Sequence, residues 1–269
     1  MDAGASRRGA RLIRSAWAEV SAAVGFLTRL RMARATAAGG TTSGAAAFGL
    51  IGALLGVIAG GVVLLVAPIA PLAAGLLAVG VLAGITGALH IDGLADTADA
   101  LAVGDPARAE AARRDPRIGP AGVVAVLVFV GLDAALLAAL ATDRGPTFAA
   151  LACIVAASGS RAIAPALPVI AGDRIRDGAS AAWFAVHTPP TAASVALTTV
   201  AGVAVIAELI AASVALPVGL VAGIVIAWVA AELVIRLRGA LDGDGIGAII
   251  EITFAATLLA TAVAASRGL

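Results

Sequence analysis

Seven apolar stretches, each close to the length of a membrane-crossing helix, set the frame for this chain. They run roughly over 45–67, 71–89, 120–141, 147–170, 191–212, 214–235 and 246–265, and a helix needs about 20 apolar residues to cross the hydrocarbon of a bilayer. The composition agrees, since 61% of the 269 residues are hydrophobic and 13% are charged, whereas soluble domains carry about 25% charge. A water-soluble globule is excluded, and so is a disordered chain. The breaks carry turn chemistry at Pro68 and Pro71, Gly145-Pro146, Pro189-Pro190, Pro217 and the run Gly239 to Gly247. Small-xxx-small spacing at Gly52/Gly56/Gly60, Gly80/Gly84 and Gly219/Gly223 lets helices approach closely. The expected fold is an all-α polytopic membrane bundle of about seven spanning helices, one domain over residues 1–269.

Arginine placement gives the orientation. All 18 basic residues are Arg. Fifteen fall before the first stretch or between stretches two and three, four and five, or six and seven; only Arg144 and Arg267 fall on the opposite side, and Arg161 lies within a stretch. The positive-inside rule then places the N-terminus and the first side in the cytoplasm. Residues 1–40 form an Arg-rich cytoplasmic segment with no apolar core and cleavage site of a targeting peptide. Within it, Leu12, Ile13, Trp17, Val20, Val24 and Leu27 recur at helical spacing between arginines, the pattern of a helix lying on the membrane surface. The single cysteine, Cys153, excludes an intrachain disulfide and a Cys-rich zinc site. With 3% aromatics and no Tyr there is no platform for stacking bases, so nucleic acid is not an expected partner.

The acidic residues gather on the arginine-marked side. In HIDGLADTADALAVGD, residues 90–105, Asp92, Asp96 and Asp99 stand at i, i+4 and i+7, within about 60° of one another on a helix at 100° per residue. Like charges on one face repel unless a cation sits among them, and magnesium favours carboxylates while leaving room for substrate phosphates. The structural alternative makes Asp92 a helix cap and leaves the other two solvated. A second group lies in LRGALDGDGIGAIIE, where Asp242 and Asp244 sit among glycines and Glu251 falls about one turn into the last stretch. A glycine-rich loop before a helix can take a phosphate, or it can be only a flexible connection. An acid inside hydrocarbon usually faces a functional interior.

Arg161 in SGSRAIAP is likewise inside a stretch, as a counter-ion to Glu251 or Glu232 or as a phosphate ligand, and Pro165 and Pro168 should kink the helix after it. GDRIRDGA, residues 172–179, reads by default as self-paired surface charge. Arg113, Arg114 and Arg117 either hold a pyrophosphate or enforce topology. His90 and His187 are too few for a histidine metal site; His90, two residues before Asp92, is a candidate substrate contact. Magnesium, arginine and glycine loops together are the equipment of phosphoryl transfer.

At this point the residues resemble a known family. GALHIDGLADTADALAVGD (Gly87 to Asp105) resembles the signature of the cobalamin synthases, the adenosylcobinamide-GDP ribazoletransferases. FLTRL (Phe26 to Leu30), RRDPRIGPAGVVAVL (Arg113 to Leu127), SGSRAIAP (Ser158 to Pro165) and GDGIGAIIE (Gly243 to Glu251) are similar to further family segments in the same order. The likeness extends from about residue 20 to about residue 260. The sequence departs from the pattern at Ala100, at Arg31-Met32 and at Phe254, which stands where a second acid is usual after Glu251.

The resemblance implies a magnesium-dependent transfer at the bacterial inner membrane, with the site on the cytoplasmic face. Adenosylcobinamide-GDP would react with α-ribazole or its 5′-phosphate, giving adenosylcobalamin or its phosphate and GMP. Carried over by residue, Asp92, Asp96 and Asp99 would be catalytic and hold the metal together with Asp244 and Glu251. His90, Arg29, Arg117, Arg161, Arg176, Gly243 and Gly247 are the candidate substrate contacts. The expected mechanism is in-line displacement, with Asp99 preferred as base and Arg117 and Arg161 neutralising the departing GMP. A homo-oligomer or contact with other cobalamin-assembly enzymes is conceivable, and the acidic style also resembles CDP-alcohol phosphotransferases of lipid synthesis. A secondary transporter would also bury charge and break helices, but would spread polar residues near the midplane.

Overall fold

The computed structural model describes residues 3–30, 42–103, 118–176 and 180–269, with side chains from Ile13 onward. Its helices are α1 (Ala3–Leu27), α2 (Phe48–Val66, extended at its start by a 3-10 turn), α3 (Pro71–Thr86), α4 (Leu89–Ala102), α5 (Pro120–Arg144), α6 (Pro146–Ala162), α7 (Leu167–Ala171), α8 (Ala181–Val186), α9 (Pro190–Ala211), α10 (Ala215–Arg238) and α11 (Gly243–Ser266). Among the described residues the extended pairing is an isolated parallel bridge between Ile175 and Leu241. Six stretches are long and apolar enough to cross a membrane, namely α2, α5, α6 with α7, α9, α10 and α11, and the bent pair α3–α4 makes a seventh.

Proline at the first turn starts α3, α5, α6 and α9, where its missing N–H costs nothing. The break after Ala162 falls at the 3-10 turn Ala164–Ala166, where Pro165 was expected to bend the helix. The second stretch departs from expectation. It stops at Thr86 instead of running to residue 89, because Gly87 (φ 68°) and Ala88 (φ 57°) are both left-handed. Both amides turn back to the Ala83 carbonyl, and α4 leaves at 95° to α3. Glycine accepts this backbone freely; for Ala88 it costs about 1–2 kcal/mol.

Helix seams are built on glycine. A Cβ on Gly56 would come within 2.6 Å of the Ile154 Cα, and one on Gly60 within 2.9 Å of the Ala150 carbonyl oxygen, so α2 and α6 meet backbone to backbone. Along α10, Gly219 and Gly223 receive the hydroxyls of Thr261 and Thr257 from α11. Thr253, Thr257 and Thr261 are buried and donate to carbonyls one turn back at 2.6, 2.8 and 2.8 Å. Gly80 and Gly84, expected to form another such contact, face open space instead. The outward faces expose Leu54, Val57, Leu127, Leu209, Val221 and Trp228, the apolar belt that lipid requires.

The two ends of the bundle differ. At one end Arg144 donates to the Ala265 carbonyl and Ser213 to that of Leu269. The other end gathers α4, the start of α5, the segment 172–176 and the turn before α11. The second half of α1 docks on the bundle through Phe26, whose ring lies 5.4 Å from that of Phe48 and 5.1 Å from that of Phe184. Ahead of that contact on the same helix, Ile13 is 72% and Trp17 59% exposed.

Candidate functional site

The acidic helix α4 and the start of α11 cross at glycine. A Cβ on Gly93 would come within 2.7 Å of the Asp244 carbonyl oxygen, and one on Gly247 within 3.4 Å of the His90 Cα and carbonyl oxygen. Two acidic motifs about 150 residues apart in sequence are thereby pressed together, which repulsion alone would oppose and which only side-chain-free backbone permits. On α4, Asp92 is exposed, and Asp96 and Asp99 are half-buried. Asp96 and Asp244 both carry interactions within the fold.

Asp92 is not a helix cap: it stands in the fourth position of α4, and its amide donates to the Ala88 carbonyl. The cap is Asp99. Its carboxylate accepts from the Gly119 amide at 2.7 Å and from the Gly122 amide at 2.8 Å, satisfying orphan donors at the start of α5 from a neighbouring helix. Each Asp99 oxygen accepts one of these amides and keeps a second lone pair.

The start of α11 is fastened by charge. Asp242 is buried, caps the helix by accepting from the Gly245 amide at 2.9 Å, and accepts both Arg238 Nη1 and Nη2, at 3.2 and 2.7 Å. Arg238 also reaches Thr97 Oγ1 on α4 at 3.4 Å. Arg176 lies 3.5 Å from Asp242 and donates to the Arg238 carbonyl at 3.1 Å. Arg176 thus joins this cluster, and Arg174 reaches Glu232 at 3.4 Å; residues 177–179 of the segment read as self-paired lie outside the described residues. Paired bidentate guanidinium is stronger and more directional than a single charge contact. Arg238 and Thr97 escaped sequence reading because Arg238 served the topology count and Thr97 carries no motif.

Beneath this surface lies a charged cluster between helices. Arg161 is 2% exposed and donates from Nη1 to Ser160 Oγ at 2.8 Å. It shares a cavity with Glu251 and with Asp133 of α5, itself 2% exposed. Glu232 is not its counter-ion, since that acid faces outward to Arg174 and Arg236. Glu251 Oε1 lies 3.8 Å from Nδ1 of buried His90, outside hydrogen-bond reach, and links the cluster to the start of α4. Asp133 was missed in sequence, although the rule that marked Glu251 applies equally to an acid within VLVFVGLDAALLAAL.

The remaining candidates divide. The Arg29 stem lies over Gly87 at the α3–α4 bend, and its amide donates to the Ile85 carbonyl at 2.9 Å, which places it beside the acidic helix. Gly243 opens α11 with Ser180 across from it, where a Cβ would come within 2.9 Å of the Ser180 hydroxyl. His187 stacks on Trp183 at 4.5 Å, away from these groups. Arg117, with Arg113 and Arg114, lies outside the described residues. Among the described residues, no group of three or more His, Cys, Asp or Glu side chains is placed so that it could hold a metal ion. Magnesium needs none, because it keeps several waters and takes one or two carboxylates plus substrate phosphates. Asp92, Asp96 and Asp244 carry oxygen donors of that kind, on two helices that meet at Gly93.

Fold and site together define a polytopic helical membrane protein that gathers carboxylate and guanidinium chemistry at one end of its bundle. The chain matches the family model described as Cobalamin-5-phosphate synthase over residues 19–262, and it belongs to that family. An adenosylcobinamide-GDP ribazoletransferase of a Nocardioides species is 38% identical over 193 residues, covering 71% of this chain and 73% of that protein. One of Brucella anthropi is 42% identical over 144 residues, 51% of this chain and 55% of that protein, and one of Brucella canis 43% over 122 residues, 44% and 46%. The chain thus spans about half the length of the Brucella relatives and nearly three quarters of the Nocardioides one. No solved structure matches it.

Proposed function

We propose that this chain carries the activity for which its relatives are named, transfer of the corrinoid phosphate of adenosylcobinamide-GDP to α-ribazole or its 5′-phosphate with release of GMP. The observation that supports it most is the crossing of α4 on α11 at Gly93 and Asp244, which gathers oxygen donors into one electronegative patch able to hold a cation and a pyrophosphate. In the step, the ribazole hydroxyl oxygen attacks the corrinoid-linked phosphorus, the bond from that phosphorus to the GMP oxygen breaks, and the hydroxyl proton passes to a carboxylate. With Asp99 holding α5, Asp92 or Asp96 takes that proton. Asp92, Asp96 and Asp244 would hold a magnesium ion, which would supply charge neutralisation on the pyrophosphate. Arg161 and Glu251 set a fixed charge pattern beneath the patch, and Arg29, Arg176, His90, Gly243 and Gly247 border it. Arg117, in the arginine-rich segment before α5, contributes further positive charge to the departing nucleotide.

The arginine count argues for a cytoplasmic site and N-terminus in a bacterial inner membrane. The test is purified protein in liposomes supplied with the corrinoid-GDP and α-ribazole, with product separated by chromatography. Asp92→Asn and Asp96→Asn each lower turnover at least about a hundredfold, and chelation abolishes it until magnesium is restored. Wild-type rates in both variants would remove the site, and turnover with CDP-alcohols but not the corrinoid would move the chain to lipid synthesis.

A further inference from the structure

The cluster beneath the acidic surface holds more polar atoms than its contacts satisfy. Five helices line one cavity, with Leu82 and Thr86 from α3, Ile91 from α4, Asp133 from α5, Arg161 from α6 and Glu251 from α11. Asp133 Oδ1 and Arg161 Nε are fully enclosed and have no hydrogen-bond partner. Among the described residues no ion pair joins the guanidinium to either carboxylate. The three groups line the same cavity without pairing directly. The gap measures about 10 Å³, close to the minimum that accommodates one water. An apolar void of that size stays dry, whereas one bordered by an unpartnered carboxylate oxygen and an unpartnered guanidinium N–H satisfies a water with two to four polar partners.

We propose that this cavity is an internal water site shared by Asp133, Arg161 and Glu251, and that Asp133 is a positioning residue acting through that water on the other two. Asp133 lies 13 residues into α5, about 20 Å along the helix at 1.5 Å per residue. It lines the cavity with Arg161 and Glu251, and Glu251 is 3.8 Å from His90 at the start of α4. In a low-dielectric interior a carboxylate linked through one water to a guanidinium fixes the direction of its charge. The functional half of this inference rests on the transferase reading above; the water site does not.

Two measurements separate these parts. Radiolytic hydroxyl-radical labelling of the protein in lipid modifies side chains that adjoin trapped water even where bulk solvent is excluded. Labelling is expected on Phe254 and Leu82, both buried and both lining the cavity, and its loss is expected in Asp133→Leu, whose side chain fills the gap. Absence of label on both residues in the wild type overturns the water site, and this holds even if Asp133→Leu does not fold. In the transferase assay, Asp133→Asn keeps the shape and removes the charge. It is expected to lower kcat about tenfold, the weight of one charge-assisted hydrogen bond, with KM for the corrinoid-GDP within about twofold. Unchanged kcat in Asp133→Asn overturns the positioning role. A wild type that is labelled but makes no cobamide retains the water site and rejects the transferase reading.

Discussion

Asp99 shows how one side chain can be motif and scaffold at once. It stands in register with Asp92 and Asp96 on α4, yet each of its oxygens is bound to a backbone amide at the start of α5. Asp99→Asn leaves one acceptor where there were two. It is expected to cost about 1–2 kcal/mol, the range for a lost cap, read as a lower melting temperature in detergent, with turnover reduced far less than in Asp92→Asn. Full stability combined with abolished turnover would return Asp99 to the chemistry. The spacing that exposes the acidic stripe is legible in sequence, because i, i+4, i+7 is a property of one helix. The division of labour within it is not, because Gly119 and Gly122 are brought to Asp99 by the fold. Asp133 lies between these cases, legible by the rule for charges in hydrocarbon but outside every motif.

At the level of elements, most of the architecture follows from hydropathy and proline. The starts of α3, α5, α6 and α9 and the break at Ala164–Ala166 fall where proline sits. The bend before α4 has no such mark. Gly87 permits it, but Ala88 also turns left-handed, and no local preference of alanine announces that. Spacing alone also overstates glycine: Gly219 and Gly223 grip α11, while Gly80 and Gly84 grip nothing. Gly223→Ala drives a methyl into the Thr257 hydroxyl and is expected to destabilise by about 1–3 kcal/mol. Thr257→Ala in the same chain should recover much of the loss. Gly80→Ala should be neutral or stabilising by up to about 1 kcal/mol, because alanine favours helix and meets no neighbour. Equal melting shifts for Gly223→Ala and Gly80→Ala would refute the seam assignment.

For the whole molecule the natural sequence offers a simple probe of orientation. Cys153 is the sole cysteine and is buried, so Cys153→Ser gives a clean background. Asp143 and Asp173 are exposed near opposite ends of α5 and α6–α7. In intact cells, a membrane-impermeant maleimide should label Asp143→Cys and spare Asp173→Cys until the membrane is opened. The reverse pattern would invert the bundle and place the acidic end outside.

The glycine and threonine seams also set how this chain can change over generations. Its outward aliphatic faces meet fluid lipid, so one branched side chain serves as well as another and neutral drift there should run freely. The seams have no slack in the direction of larger volume, because Gly56 meets main chain and Gly223 meets the Thr257 hydroxyl. A substitution at Gly223 becomes permissible only after Thr257 has shrunk, whereas Gly56, set against main chain, stays fixed. The interior is therefore rewritten in ordered pairs of steps, and its history should read as linked exchanges beneath an unlinked exterior.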